Sequence, residues 1–295
     1  MNQGMGPVVV GGVGGSGTRL VAEMLRRIGF HLGRDLNSAA DNLWFTLLFR
    51  RPRWFERCVD PDGSSDILQA LGWFEDAMLG RLRLGLELAR LLDGAVDELV
   101  AQGLDRSFVE ERRRRFVQWG SMAPDDLDRW GWKEPNSHIY LEFLAQHFGN
   151  RMRYVHVIRD GIDLVRRGNH RQLVNWGPLF GLSLAAESLP SDPVALRAAA
   201  LDYWIAANLK ALRVGPELFG DRFMVLNLDH LRRDPVPAVT RLLHHVDTDA
   251  SQERVLSLAA LSEPPTHTPA PADYIGLTDN QRRGFAALGF EIPVP

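Results

Sequence analysis

Pro7-Val-Val-Val-Gly-Gly-Val-Gly-Gly-Ser-Gly-Thr-Arg19, with Leu20, Val21, Met24, Leu25 and Ile28 behind it, is the stretch that decides the fold. A β-rich apolar run closed by glycines and followed by apolar residues at helical spacing predicts strand, glycine loop, helix. The backbone N–H groups of such a loop, together with the positive end of the helix, can cradle a phosphate.

The glycines fit two phosphate-binding patterns in part. Gly12, Gly14 and Gly17 match G-x-G-x-x-G, the dinucleotide fingerprint, which also requires a second strand and an acid about 20 residues on. Asp35 lies at that distance, but Phe30-His31-Leu32 is a poor strand. Gly12 and Gly17 have the spacing of the nucleotide-triphosphate loop, yet Thr18 stands in the lysine position and Arg19 in that of the Mg²⁺-binding hydroxyl. That disfavours ATP or GTP hydrolysis.

Outward from the loop, Trp130-Gly-Trp-Lys133 reads as a short strand stopped by Pro135, with Asn136 capping a helix that carries Ile139, Tyr140, Phe143 and Leu144. Tyr154-Val-His-Val-Ile158 is a buried strand ending in Arg159-Asp160-Gly161, and Phe223-Met-Val-Leu-Asn227 is another. A long periodic segment, about 193–214, precedes the latter, and Pro235 starts a helix after it. Strands alternating with helices predict an α/β fold with a mostly parallel central sheet flanked by helices, and ligands beyond the C-terminal strand ends. Residues from about 42 to 120 are mostly helical in pattern and rich in aromatics, with a turn at Asp60-Pro-Asp-Gly63. They read as a helical insertion or lid whose aromatics are chiefly core.

The chain has 295 residues, a net charge of −3, 45% hydrophobic and 24% charged residues, and no linker divides it, so a single domain spanning 1–295 is expected. The charge balance argues against general nucleic-acid binding, and no stretch approaches the ~20 apolar residues of a membrane span. Met1 to Pro7 lacks the basic residues of a signal peptide, and Cys58 is the only cysteine, so a reducing cytoplasm is expected. Nine histidines include the pair His244-His245, but no metal-binding spacing occurs, and no metal is expected. Only Lys133 and Lys210 among 34 basic residues are lysines, which singles out Lys133 in its polar motif. The run Arg112–Arg115 reads as a solvated helix face.

Gly15-Ser-Gly-Thr-Arg19, then Trp132-Lys-Glu-Pro135, then Val155-His-Val-Ile-Arg-Asp-Gly161 resemble, in that order, three motifs of sulfotransferases. They are the 5′-phosphosulfate loop, the lysine-proline motif and the 3′-phosphate motif of bacterial and tyrosylprotein-type enzymes that use 3′-phosphoadenosine 5′-phosphosulfate (PAPS). Trp204 and the segment from Phe223 to Pro235 resemble the family's later strand and helices. The resemblance spans about 7–36 and 130–246 and implies a P-loop-like fold that needs no metal.

The resemblance implies that the backbone of Gly14, Gly15, Ser16, Gly17, Thr18 and Arg19, with the Ser16 and Thr18 hydroxyls, holds the 5′-phosphosulfate. Arg159 would grip the 3′-phosphate through a planar fork of donors, with Asp160 structural. Arg167 stands where the family usually has a 3′-phosphate serine, with Arg166, Asn169 and Arg171 close by. The family often carries a cation where this chain has Gly15, so Arg19 or Lys133 must supply that charge. Lys133 would stabilise the bridging oxygen as the S–O bond breaks. Asp35 would be the base, with Asp41 and His170 in reserve. The acceptor would be a small molecule, glycan or peptide. A non-catalytic nucleotide-binding protein on the same fold and an NAD(P)-dependent oxidoreductase are the alternatives.

Overall fold

A computed structural model describes residues 6–59, 64–124, 127–168, 170–182, 189–264 and 268–293. Its centre is a parallel sheet in the order β2-β1-β3-β4, built from β1 (Val8–Gly11), β2 (Gly131–Lys133), β3 (Arg153–Ile158) and β4 (Phe223–Asn227). Val10 pairs with both Lys133 and Val155, and Ile158 with Asn227, so the C-terminal ends of all four strands finish at one edge. His31 makes only an isolated bridge to Trp130, in place of the second strand that a dinucleotide fold needs.

Side chains alternate across each strand and serve two cores. Val8, Val10, Val155, Val157 and Leu226 face α1 (Thr18–Arg27), α11 (Leu228–Arg233), α12 (Pro235–His245) and α13 (Gln252–Ala259). Val9, Trp132 and Tyr154 face a larger core shared with the helical insertion. That insertion comprises α2 (Leu43–Phe49), α3 (Pro52–Cys58), α4 (Ser64–Met78), α5 (Leu86–Ala101) and α6 (Arg106–Gly120). Its aromatics are packed inward: Phe45 stacks on Trp132 at 5.7 Å and meets Phe74 edge-on at 5.4 Å. The expected turn at Asp60–Gly63 lies outside the described residues.

Two local details differ from the expectation. Pro135–Tyr140 is a 3-10 turn, with α7 (Leu141–Phe148) starting only after it, and its cap is Glu134, whose carboxylate accepts from the Asn136 N–H. Asn136 Oδ1, the acceptor that a cap would have used, instead takes hydrogen bonds from Gln172 Nε2 and Trp176 Nε1. The later chain forms α8 (Gly161–Arg166), α9 (Arg171–Trp176), α10 (Pro193–Phe219) and α14 (Asp279–Ala287). Tyr274, just before α14, donates to Asp160 at 2.8 Å, so the C-terminal region folds back over the end of β3. Among the described residues no helix is long and apolar enough to cross a membrane.

Candidate functional site

The glycine loop runs from Gly12 to Gly17 between β1 and α1. Gly12 (φ 145°) passes so close to β3 that a Cβ would lie 2.4 Å from the Val157 carbonyl oxygen. Gly17 (φ 96°) caps α1 in the left-handed region, where a Cβ would strike Leu228 at 2.5 Å. Only glycine meets both demands. α1 has no acidic residue in its first turn, which leaves its N–H groups and positive end open to an anion. Ser16 and Thr18 are buried, and the Ser16 hydroxyl has no hydrogen-bond partner among the described residues; Arg19 is exposed in the first turn of α1.

Lys133 ends β2 with its side chain 3% exposed. Its ammonium donates to the Ala39 carbonyl at 3.0 Å and is ion-paired with Asp41, on the loop that returns from α1 towards α2. The next residue, Glu134, is buried and accepts from Asn136 N–H (2.6 Å) and Nδ2 (2.8 Å) and from Thr46 Oγ1 (3.4 Å). Burial, reinforced by the charge of Asp41, pushes its carboxyl up to about 7. Asn136 in turn accepts from Gln172 Nε2 (2.8 Å) and Trp176 Nε1 (2.9 Å), and Gln172 Oε1 accepts the Gly14 N–H at 2.6 Å. A polar line thus joins the glycine loop, α9 and the end of β2.

Arg159, at the end of β3, is buried against the loop. It donates from Nη1 to the Gly15 carbonyl at 3.4 Å, is ion-paired with Asp163 on α8, and its Nε has no hydrogen-bond partner among the described residues. Burial lowers its pKa, and the charges of Arg167 and Arg232 lower it further against the pull of Asp163. Arg167 is half-exposed, 4.0 Å from Asp163. Arg232, on α11, has buried Nε and Nη1 atoms with no hydrogen-bond partner among the described residues. Asp160 caps α8 through Ile162 N–H (2.8 Å) and Asp163 N–H (3.2 Å), and its own N–H donates to Asp229 (2.8 Å).

Asp35 does not meet Lys133. Its carboxylate, 2% exposed, is ion-paired through Oδ1 with Arg112 and with Arg115 (3.0 Å), and its backbone carbonyl accepts from Leu43 N–H. Arg112 and Arg115 therefore turn inward, and the solvated face expected for the run is left to Arg113 and Arg114, which pair with Asp93 and Glu111 at 2.7 Å each. Glu134, Gln172 and Arg232 join the site without having been marked by the sequence. The first and last lie inside motifs already singled out, whereas nothing local marks Gln172. Among the described residues no group of three or more His, Cys, Asp and Glu side chains could hold a metal ion.

The profile described as "Sulfotransferase family" matches residues 7–252. Sulfotransferase STF9 of Mycobacterium avium is 20% identical over 98% of this chain and 77% of its own, with a TM-score of 0.49. The sulfotransferase domain of the Synechococcus olefin synthase is 15% identical over 99% of this chain and 98% of its own, with a TM-score of 0.47. The sulfotransferase domain from the curacin biosynthetic pathway is 14% identical over 98% and 99%, with a TM-score of 0.44. No curated protein matches.

Proposed function

The chain belongs to the sulfotransferase family, and from that premise we propose that it transfers a sulfuryl group from PAPS to a hydroxyl or amine of an acceptor. One observation carries this reading: the glycine loop, Lys133 and Arg159 converge at the C-terminal edge of one parallel sheet, with the Ser16 hydroxyl and Arg159 Nε buried and, among the described residues, without hydrogen-bond partners. Buried donors without partners are costly unless a ligand meets them, and these two suit phosphate and sulfate oxygens.

PAPS, when bound, supplies the sulfuryl group and leaves as adenosine 3′,5′-bisphosphate. The N–H groups of Gly14 to Arg19 and the Ser16 and Thr18 hydroxyls hold the 5′-phosphosulfate. Arg159 and Arg167 hold the 3′-phosphate, joined by Arg232. Lys133 and Arg19 offset charge on the bridging oxygen as the bond from sulfur to the leaving phosphate breaks and the bond to the acceptor forms. For the base we favour Asp41, the carboxylate at Lys133, over Asp35, whose Oδ1 carries two guanidiniums and whose Oδ2 is buried. Asp35 then anchors the 35–42 loop to α6. We read residues 1–295 as one cytoplasmic domain, with the insertion of about 42–120 forming the acceptor side.

Thermal unfolding with saturating adenosine 3′,5′-bisphosphate, NAD, or ATP with Mg²⁺ tests the reading. A ligand at 100 times its dissociation constant adds about 2.7 kcal/mol, so the bisphosphate alone should raise the midpoint by several degrees. A shift with NAD and none with the bisphosphate would overturn the proposal.

A further inference from the structure

We propose that the acceptor carries an oxyanionic group, which Arg171 receives in the cavity between α3, α5 and α9; the inference rests on the sulfuryl-transfer reading and names its substrate class. The cavity holds about 960 Å³, room for a molecule of a few hundred daltons. It adjoins the reaction centre on two sides. Arg167 is in its wall, with Cδ 3.9 Å from where a Cβ on Gly15 would stand. Arg171, also in the wall, precedes Gln172, which touches the Gly14 N–H. Arg50, next in sequence to the wall residue Arg51, feels the charges of Arg171, Glu134 and Asp41.

The charges around the cavity do not cancel. Glu98 is spent on Arg51 (3.5 Å) and on the Arg53 N–H (2.9 Å) that opens α3, and Asp97 pairs with Arg106 at 3.3 Å. That leaves Glu56 as the acid with no ion pair among the described residues. Against it stand Arg57 and Arg171, likewise without ion pairs among the described residues. Arg50 Nη2 is buried with no hydrogen-bond partner among the described residues, and its charge is felt at Arg171, which adds to the positive field there. A neutral occupant would take water from these guanidiniums and return nothing, whereas a carboxylate, phosphate or sulfate would offer paired charged hydrogen bonds. Val174, Pro178 and Ala101 give the same cavity an apolar wall for the body of the molecule.

The test is calorimetric titration of the full chain, with and without saturating adenosine 3′,5′-bisphosphate. The probes are para-hydroxyphenylacetate, para-hydroxybenzylphosphonate and para-hydroxybenzylsulfonate, against the neutral para-hydroxyphenylacetamide. At least one anion should bind about tenfold or more tightly than the amide, the scale of one charged hydrogen bond. The best anion then separates carboxylate, phosphate and sulfate. Arg171→Gln should abolish the preference and leave the bisphosphate affinity within about twofold of wild type. The proposal is overturned if the amide binds as well as every anion, if none binds, or if the preference survives in Arg171→Gln. It is also overturned if that variant loses bisphosphate affinity, which would move Arg171 to the nucleotide site. Failure of the wild-type chain to bind the bisphosphate would instead sink the sulfuryl-transfer reading beneath it.

Discussion

The side-chain carbonyl of Gln172 accepts the backbone N–H of Gly14 at 2.6 Å, so an amide of the anion-binding loop is satisfied by a neutral oxygen from α9. The other end of the same side chain donates to Asn136, which holds Glu134 beside Lys133. One glutamine therefore ties three separate elements together and competes for a donor that a phosphate or sulfate oxygen would use.

Gln172→Ala removes both hydrogen bonds. Stability should fall by about 1–2 kcal/mol, the net worth of one or two such bonds, read from the denaturant midpoint. Adenosine 3′,5′-bisphosphate should bind a few-fold more tightly, because its rival for the Gly14 N–H is gone. Weaker nucleotide binding would show that the glutamine supports the loop and does not compete for it.

Arg159→Ala should cost about 1.5–3 kcal/mol of affinity for adenosine 3′,5′-bisphosphate, the range for a charged hydrogen bond, and leave adenosine 5′-phosphosulfate, which lacks the 3′-phosphate, unaffected. Comparing the two nucleotides within one variant cancels any general loosening from the Asp163 charge left behind. Equal losses for both would remove Arg159 from that role.

Lys133→Ala should lower the rate of sulfate transfer at least about 100-fold, the scale for losing one charge-stabilising donor, while nucleotide affinity stays near wild type. The assay is bisphosphate release in the presence of an acceptor. An unchanged rate would reduce Lys133 to a partner of Asp41.

What the sequence made legible was local. Apolar runs closed by glycines or by Pro135 marked the strands, because a buried strand is continuous in sequence, and the glycine spacing marked the loop. Lys133 stood out because the chain otherwise uses arginine. The partners of these groups were not legible, since pairing is decided by distances across the sequence: Gly14 to Gln172 spans 158 residues and Asp35 to Arg115 spans 80. Arg112 to Arg115 looked like a solvated run because helical spacing shows which residues share a face, not what that face meets.

Glu134 makes stability depend on pH in a definite direction. Its carboxyl is raised from 4.5 to about 7 by burial and by Asp41, so between those values the folded chain holds a proton that the unfolded chain has released. Its contribution is fully present below about 4.5 and is lost as pH rises through about 7. The stability difference between wild type and Glu134→Gln should shift by up to about 3 kcal/mol against wild type over that interval. His138 and His156, lowered by burial to about 3 and about 4, act oppositely. Their contribution is present above the ordinary histidine value and lost as pH falls below it, so total stability should peak in between. Denaturant midpoints from pH 4 to 8 check both; a flat difference for Glu134→Gln would show that its carboxyl titrates alike in the folded and unfolded chain.

Asp35 and Asp41 sit six residues apart on one loop and have different partners, which lets one pair of variants decide the base. Asp35→Asn weakens two ion pairs at a site 2% exposed and leaves the charges of Arg112 and Arg115 without an anion. Losing one partner of a buried pair costs about 3–5 kcal/mol, and both arginines here are partly exposed, so about 2–3 kcal/mol is expected. Its transfer rate should keep the wild-type pH profile at temperatures where it remains folded. Asp41, 20% exposed, is reachable by an acceptor; Asp41→Asn leaves the buried Lys133 ammonium without its anion and should also cost about 2–3 kcal/mol, but at temperatures where it remains folded it should lose most of the rate, together with the acidic limb of the pH profile. The reverse pattern, with the acidic limb lost in Asp35→Asn and kept in Asp41→Asn, would return the base to Asp35 and make Asp41 the anchor of Lys133.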